Sequence, residues 1–389
     1  MTDHPLTGLR VLDLSRVVSG PFAARLLSDL GADVVKVEPP DGDVTRAWGE
    51  VRHGLSGFYT QQNAGKRNLC VDLKAPGGAG LLVRLASVAD VMIENFRPGV
   101  LDRLGLEWDV LSAANHGLIL LSVSGFGRDS PAAGRTAYAP VIHAESGLLE
   151  RQGRFDGVAP SDPMLSIADT NAALHGLVAV LAALHMRAST GAGQHVDMAM
   201  LDAMLATDDY AHHALDGHPV RRLGGEVWTD APGGPVMLAG EFRFVWRQLR
   251  SVHDVADPTP PGATLEEKVR SRRDAAGRWI ASFTDRPTLL AALDAAGIAW
   301  GDVPDSEAVF AGPLVATRAM AAEVDDRSGG RRRVVQSPYR FSAARSGVRG
   351  AAPYRGEHNA AVLREWLDAG DDEIAALEAA GVLAAESPP

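Results

Sequence analysis

One acidic residue stands where its carboxylate could act as a nucleophile. Asp169, in the run SIADTNAALHGLVAVLAAL, lies at the junction between an irregular segment and a long apolar helix pattern. The free backbone N–H groups at a helix N-terminus stabilise anions, so an Asp at this place can cap the helix and is held in its ionised form. Such a carboxylate is either a plain helix cap or an anionic nucleophile at neutral pH, and its position alone favours the cap.

The sequence motifs give little support for a dinucleotide site, a metal site, or a serine or cysteine nucleophile. The turn after the first predicted strand reads SRVVSGP and contains only Gly20, so it lacks the three glycines of the dinucleotide-binding fingerprint. Glu38 nevertheless lies where that fingerprint has the acid that binds the ribose. Nicotinamide or flavin binding therefore remains only a weak alternative. His212 and His213 are adjacent and point about 100° apart on a helix, so they cannot share a metal ion, and we expect no metal site. No G-x-S-x-G elbow is present, and Cys70 lies in mid-strand like a buried hydrophobic residue.

Strand and helix patterns alternate through the first part of the chain, as they do in βαβ units. Crossover helices are expected at 21–31 and 79–86, and a longer helix at 169–187. We therefore predict an α/β fold whose large, Rossmann-like domain has a mostly parallel sheet covered on both faces, with the ligand at the carboxyl ends of the strands. The predicted strands are 9–14, 33–38, 68–73, 90–96, 118–126 and 195–200.

A change in composition after residue 217 predicts a second, smaller α+β domain. The segment that follows is rich in Gly and Pro, and the tail returns to the strand and turn pattern of the first part. The expected organisation is a large domain with its N-terminal part at 1–217, a small domain at 218–325, and a C-terminal part at 326–389 that returns to the large domain.

Charge and composition argue against several partners. The 389 residues carry 38 Lys and Arg against 49 Asp and Glu, a formal net charge of −11. This acidic balance disfavours nucleic acid and anionic membranes, whose binding needs clustered cations. The longest apolar run, 176–184, is shorter than the roughly 20 residues that span a bilayer. No signal-peptide pattern opens the chain, and its one cysteine precludes an internal disulfide, so we expect a soluble, cytoplasmic protein.

Five segments together resemble a known protein family. In this order they are similar to the family III CoA-transferases, the CaiB/BaiF type, over nearly the whole chain. The blocks ENFRPG and TGAGQHVD are the most specific. The segments are GLRVLDLSRVVSGPFAARLLSDLGADVVKVEPPDGD (8–43), NAGKRNLCVDLK (63–74), ADVMIENFRPGVLDRLGL (89–106), ADTNAALHGLVAVLAALHMRASTGAGQHVDMAMLDA (168–203) and YRGEHNAAVLREWL (354–367).

The resemblance implies a fold, an assembly and a reaction. The large domain would be built from both chain ends, and two chains would interlock as a homodimer. Asp169 would attack an acyl-CoA donor to give a mixed anhydride, CoA would return to form an aspartyl-CoA thioester, and a free carboxylic acid would then accept the CoA. CoA would be a substrate, with no tightly bound cofactor. The implied CoA contacts are Arg16, Val17, Val18, Ser19, Val71, Lys74, Asn95, Phe96 and Arg103.

The α-methylacyl-CoA racemases share this fold and many of these sequence blocks, but they abstract and return a proton at the α-carbon with a His and Asp pair. Where their His block falls, this chain reads AYAPVIHAESG, with Tyr138 at the His position and His143 five residues later. The resemblance therefore favours a transferase with Tyr138 and His143 in its substrate pocket. An acyl-CoA racemase or isomerase and a non-catalytic acyl-CoA binding protein remain alternatives. Arg135 or Arg222 could pair with a second carboxylate of a substrate.

Overall fold

The computed structural model describes residues 4–218 and 224–386, so the candidate Arg222 lies outside the described residues. The strands are β1 (Arg10–Asp13), β2 (Asp33–Glu38), β3 (Val51–Arg52), β4 (Leu55–Ser56), β5 (Arg67–Cys70), β6 (Val91–Glu94), β7 (Ile119–Ser124), β8 (Gln194–Ala199), β9 (Gly225–Trp228), β10 (Val236–Ala239), β11 (Trp300–Asp302), β12 (Ala321–Asp325) and β13 (Arg331–Val335). The helices are α1 (Ser19–Asp29), α2 (Gly57–Asn63), α3 (Gly78–Ala86), α4 (Val100–Arg103), α5 (Trp108–Ala114), α6 (Ala139–Glu145), α7 (Leu148–Asp156), α8 (Ile167–Thr190), α9 (Met200–Thr207), α10 (Ala211–Leu215), α11 (Phe242–His253), α12 (Leu265–Ala281), α13 (Arg286–Ala295), α14 (Ser306–Ala311), α15 (Pro313–Thr317), α16 (Asn359–Leu367) and α17 (Asp371–Ala379).

The chain divides into two compact units. The larger combines Met1–Asp209 with Arg318–Pro389, and the smaller is Tyr210–Thr317. The sequence predicted the small domain at 218–325, so both observed boundaries fall earlier along the chain. The later boundary differs because the β12–β13 hairpin belongs to the larger unit, where Val324 and Val334 pack against Ala64.

The larger unit contains the predicted parallel sheet. In the described ranges it has six strands in the order β5-β2-β1-β6-β7-β8, all paired in parallel. This confirms the α/β class and the strands predicted from the sequence pattern. The order reverses between β1 and β6, because the chain runs outward from β1 to β5 and then returns beside β1. Ligands of such sheets bind in the crevice above this switch point, at the carboxyl ends of the strands.

Both faces of the sheet are covered, as the continuous apolar strands require. Side chains alternate between the two faces along each strand. Leu12 and Leu120 pack into one apolar cluster with side chains of α3, α5 and α16, whereas Val11 and Leu121 pack into another with side chains of α1, α8 and α9. The sheet is therefore the middle layer of a three-layer unit.

Helix α8 is longer than the sequence analysis indicated. It extends the predicted helix of 169–187 at both ends, to 24 residues, and by length and composition alone it could cross a membrane. The helix instead lies close on β7: a Cβ added at Gly176 would stand 2.9 Å from Leu121 Cδ2. Glycine at this position therefore allows one face of α8 to approach the sheet, and that face is buried.

The smaller unit is an α+β structure. Its antiparallel sheet has the order β11-β10-β9, and side chains of β10 and of helices α11, α12 and α13 form one apolar cluster around Leu238, Leu249 and Leu289. Helix α12 begins with a capping box in which Thr264 and Glu267 each bind the other's backbone N–H.

Two buried ion pairs lie at the carboxyl ends of β1 and β2. Lys66 Nζ is 2.7 Å from Asp13 Oδ2, and Lys36 Nζ is 3.3 Å from Asp43 Oδ2, with all four side chains at most 1% exposed. Burial by itself would raise the pKa of Asp13, but the ammonium groups of Lys66 and Lys36 outweigh it and hold that pKa below its usual value. Lys66 also donates to the Pro21 carbonyl oxygen at 2.9 Å, which ties the pair to the start of α1.

We predict that Lys66→Met destabilises the larger unit by about 3–5 kcal/mol, because it leaves Asp13 as an unpaired buried charge. The measurement is the free energy of unfolding from urea titration. Adding Asp13→Asn to Lys66→Met should recover part of the loss. Arg52→Ala is the control: it breaks a pair with Glu50 that is exposed on both sides, so it should leave stability within measurement error. Equal effects of Lys66→Met and Arg52→Ala would contradict the prediction.

Candidate active site

A cavity of about 290 Å³ opens at the switch point of the parallel sheet. Its walls come from the segments that follow β1, β6 and β7 and from the first turns of α8 and α9. The cavity therefore lies where the strand order predicts a ligand. Among the residues singled out in the sequence, it is lined by Arg16, Val17, Ser19, Asn95, Phe96, Arg135, Tyr138 and Asp169.

A second cavity, of about 270 Å³, shares Arg16 and Phe96 with the first. It extends past the ends of β2 and β5, where Val71 and Lys74 line it. The two cavities are thus neighbours in the larger unit. The remaining candidates lie elsewhere: Arg103 is exposed on α4 and Val18 is buried at the start of α1, and neither is among the described residues that line the two cavities.

Asp169 is the third residue of α8 and lies in the first turn of the helix. The N-cap residue, Ser166, makes no side-chain hydrogen bond to the helix. The Asp169 carboxyl instead faces the hydroxyl and backbone N–H of Ser19 and the backbone N–H of Ala139, which favour its ionised form. It therefore joins α8 to the first residues of α1 and α6, and the plain helix-cap interpretation is not what the geometry shows.

Burial controls the charge of Asp169 more than its hydrogen bonds do. Burial raises the pKa of this carboxyl to about 6, although the two hydrogen bonds from Ser19 act in the opposite direction. The sequence analysis expected the helix N-terminus to favour the ionised form, so the direction of the shift is opposite to that expectation. At neutral pH the group is still mostly ionised, and it combines an anionic charge with a basicity above that of an exposed Asp.

His143 lies behind the cavity wall and is not in it. The side chain is 1% exposed, its Nε2 accepts a hydrogen bond from the Ala168 backbone N–H at 3.1 Å, and its Nδ1 is 2.7 Å from Asp162 Oδ1. Because Nε2 is the acceptor, these partners assign the proton to Nδ1, which donates it to Asp162. His143 thus supplies the cap that Ser166 does not, one residue before Asp169.

We predict that His143→Leu lowers the free energy of unfolding by about 1–3 kcal/mol, because the Ala168 N–H loses its partner in a buried place. His143→Gln keeps a side-chain acceptor and should lose less. Both variants are compared with the natural protein by urea denaturation. A His143→Leu protein as stable as the natural one would show that this cap contributes nothing.

Some lining residues gave no strong signal in the sequence. The segment between β7 and α6 contributes Gly125 and Ala137, and a Cβ added at Gly125 would come within 2.3 Å of the Ala137 Cβ. A glycine near the end of the predicted strand 118–126 was the available signal. The same segment brings in Arg135, which the sequence analysis did single out; its guanidinium lies 4.7 Å from the Phe126 ring centre and 2.6 Å from Glu145. Arg97, after β6, also lines the cavity.

Other reactive side chains lie away from the cavities or are unsuited to catalysis. Burial raises the pKa of the Cys70 thiol to about 11, so it is not a thiolate at neutral pH. In the ranges 4–218 and 224–386, no three His, Cys, Asp or Glu side chains are grouped so that they could hold a metal ion.

Comparison with known proteins identifies relatives of the chain. The family model described as CoA-transferase family III matches residues 6–359. The succinate–glutarate CoA-transferase of Agrobacterium fabrum is 33% identical over 93% of this chain and 95% of its own length. The formyl-CoA:oxalate CoA-transferase of Streptomyces avermitilis is 32% identical over 97% and 99%. The crystal structure of a CaiB/BaiF family protein from Brucella suis superposes with a TM-score of 0.81 at 32% identity, covering 94% of this chain and all of that one.

Proposed function

The chain belongs to CoA-transferase family III and is a transferase, and from this premise we propose that it moves CoA from an acyl-CoA to a free carboxylic acid, with Asp169 as the nucleophile. The observation that carries the proposal is the position of Asp169. Its carboxyl lines a cavity at the switch point of the sheet and faces donor groups at the starts of two other helices.

In each step of the proposed reaction, one bond to an acyl carbon forms and another bond to the same carbon breaks. An Asp169 carboxylate oxygen attacks the thioester carbon, the C–S bond breaks, and the products are a mixed anhydride and CoA thiolate. The thiolate then attacks the Asp169 carbonyl carbon, which gives an aspartyl-CoA thioester and releases the donor acid. The acceptor carboxylate attacks this thioester and expels the thiolate, which attacks the acceptor carbonyl of the new anhydride. Product acyl-CoA leaves and the Asp169 carboxylate is restored.

The cavity residues supply what these steps need. Attack on the Asp169 carbonyl places negative charge on its oxygen, and the Ser19 hydroxyl and the N–H groups of Ser19 and Ala139 are donors already directed at this carboxyl. CoA carries phosphates, for which Arg16 and Lys74 in the second cavity are suitable cationic partners. We therefore propose that CoA lies along the second cavity and that its thioester reaches Asp169 in the first.

The racemase alternative requires a proton-transfer pair, and the described residues argue against one. His143 is buried, and both of its ring nitrogens are engaged, with Asp162 and with the Ala168 N–H. Tyr138, at the place of the racemase His, is exposed and has no imidazole. Among the described residues, neither His143 nor Tyr138 is placed to act as such a base, whereas the Asp169 carboxyl lines the cavity, which supports the transferase proposal.

We also propose that the enzyme is an interlocked homodimer, as the family resemblance implies. The face of α8 that points away from the sheet carries Leu174, Val178 and Leu181, three exposed apolar side chains with helical spacing. A row of this kind on a sheet-packed helix is typical of a surface that is covered in an assembly.

The first test is covalent trapping. Mixing the enzyme with succinyl-CoA and hydroxylamine should convert the activated carboxyl of Asp169 to a hydroxamate, which peptide mass spectrometry would locate. Asp169→Asn lacks the nucleophile, so it should give no adduct at this position and lose CoA transfer by at least about a thousandfold. No adduct with several donors, together with deuterium exchange at the α-carbon of a branched acyl-CoA, would support the racemase instead.

We further propose that a substrate acid is a dicarboxylic acid. The relatives named above act on succinate, glutarate or oxalate. In this chain Arg135 lines the cavity of Asp169, with its guanidinium 2.6 Å from Glu145. A guanidinium at the rim of the cavity suits the second carboxylate of such an acid, since Arg binds carboxylates through two parallel hydrogen bonds.

Replacing Arg135 tests this substrate class. We expect Arg135→Gln to raise KM for succinate about tenfold or more, since a hydrogen bond to a charged group contributes about 1.5–3 kcal/mol. The control is butyrate as acceptor, which matches succinate in chain length but lacks the second carboxylate, and its KM should not change. An equal rise for both acids would mean that Arg135 does not recognise the second carboxylate.

A further inference from the structure

The segment of residues 16–19, after β1, has a backbone conformation that needs support. Val17 has φ of 69°, in the left-handed region that a β-branched residue rarely adopts. Arg16 lines both cavities, Val17 lines the first, and the segment ends at Ser19, the first residue of α1. A strained backbone of this kind persists only where neighbouring groups impose it.

Asn95, after β6, imposes part of this conformation across the switch point. Its Oδ1 accepts the Arg16 backbone N–H at 2.7 Å, and its Nδ2 donates to the Arg16 carbonyl oxygen at 2.7 Å and to Ser19 Oγ at 3.1 Å. Both ends of the carboxamide are therefore used within the protein. The sequence analysis expected Asn95 to contact CoA, but its hydrogen bonds go to the segment of residues 16–19.

Asp43 supports the same segment from the other side. Its Oδ2 accepts the Val17 backbone N–H at 3.2 Å and is paired with Lys36 at 3.3 Å, while its Oδ1 accepts the Thr45 N–H at 3.0 Å. The strained residue thus lies between the Asn95 carboxamide and a buried carboxylate. Because these groups are buried or partly buried, the segment has few other arrangements open to it.

The direction of the Ser19 hydroxyl follows from the Asn95 contact. The Asn95 Nδ2–H donates to Ser19 Oγ, so the hydroxyl is an acceptor on that side and its own hydrogen is free to point to the Asp169 carboxylate. The Ser19 backbone N–H, at the N-terminus of α1, also favours the ionised form of the Asp169 carboxyl. A change at Asn95 would therefore act on Asp169 through Ser19.

We infer that Asn95 is a positioning residue of the transfer reaction: it holds residues 16–19 so that Ser19 presents its hydroxyl and N–H to Asp169. The inference rests on the proposed nucleophilic role of Asp169. It assigns Asn95 a function through Ser19 and not through CoA, and it makes the carboxamide specifically necessary. An aspartate at position 95 could accept the Arg16 N–H but could not donate to Ser19.

The pH dependence of the reaction reports on this arrangement. A hydrogen bond to the carboxylate stabilises its charged form, so loss of the Ser19 hydroxyl must raise the pKa of Asp169 further above about 6. Only the ionised carboxylate attacks, and the pH below which kcat/KM falls should therefore move upward. Glu94, next to Asn95 in the chain, is also buried, and burial raises its pKa to about 7. The titration of Glu94 must therefore be distinguished from that of Asp169. The other ionisable groups that face Asp169 or line its cavity are Arg16, Arg97, Arg135, Tyr138 and His143.

The experiment compares Asn95→Ala, Asn95→Asp and Ser19→Ala in steady-state transfer assays across pH. In each we expect kcat to fall roughly tenfold to a hundredfold, KM for acyl-CoA to stay within about twofold, and the acid limb of kcat/KM to move to higher pH. The double variant Asn95→Ala with Ser19→Ala should lose less than the two single losses combined, because both act on one contact. The acid limb should persist in Glu94→Gln, which assigns it to Asp169.

Asn115→Ala is the matched control for a purely structural asparagine. Asn115 also makes side-chain hydrogen bonds to backbone, to the carbonyl oxygens of Ala86 and Ala89, but it lies at the opposite end of the strands. It should lower stability without moving the acid limb. If the Asn95 variants behave like Asn115→Ala, or if they raise KM for acyl-CoA with an unchanged acid limb, the inference is wrong. Failure of hydroxylamine trapping in the natural enzyme would instead overturn the proposed role of Asp169.

Discussion

The buried charges beneath the first turn of the sheet are the constraint on which the site depends. Lys66, Asp13, Lys36 and Asp43 are almost completely inaccessible, and each would be costly to bury alone. They are tolerated because cation and carboxylate are paired and because both ammonium groups also donate to backbone carbonyl oxygens. Those backbone groups belong to the turn between β1 and α1: Lys36 binds the carbonyl oxygen of Ser15 at 2.7 Å, and Lys66 that of Pro21 at 2.9 Å.

These buried ion pairs make the turn between β1 and α1 rigid. A turn at the carboxyl end of a strand would ordinarily be among the more mobile parts of a fold. Here Gly20 adds a steric constraint, because a Cβ at this position would stand 2.1 Å from the Ser15 Cβ. The turn can therefore keep Val17 in an unfavourable conformation and bring Ser19 to Asp169. Preorganised donors of this kind stabilise developing charge without having to reorient during the reaction.

The start of α8 shows how two polar requirements are divided between two side chains. A helix N-terminus has free N–H groups that need acceptors, and Asp169 is close enough to have served as one. His143, fixed by Asp162, accepts the Ala168 N–H instead. The Asp169 carboxylate is then available to the cavity, where burial raises its pKa and donors from α1 and α6 orient it. A carboxylate that capped its own helix would be less free to change its bonding.

The sequence by itself determined the α/β class, the positions of the six parallel strands and the candidate Asp169, because these depend on local periodicity and on runs of residues that resemble a family. It also indicated part of the cavity lining, since residues at the carboxyl ends of parallel strands meet at one edge of the sheet. Only the tertiary structure decided which groups the side chains contact. Asn95 bonds across the switch point to Arg16, and His143 bonds to Ala168 and is excluded from the cavity. The pKa of Asp169 likewise follows from burial. Burial depends on packing between segments that are far apart in the chain, so no local sequence pattern predicts it.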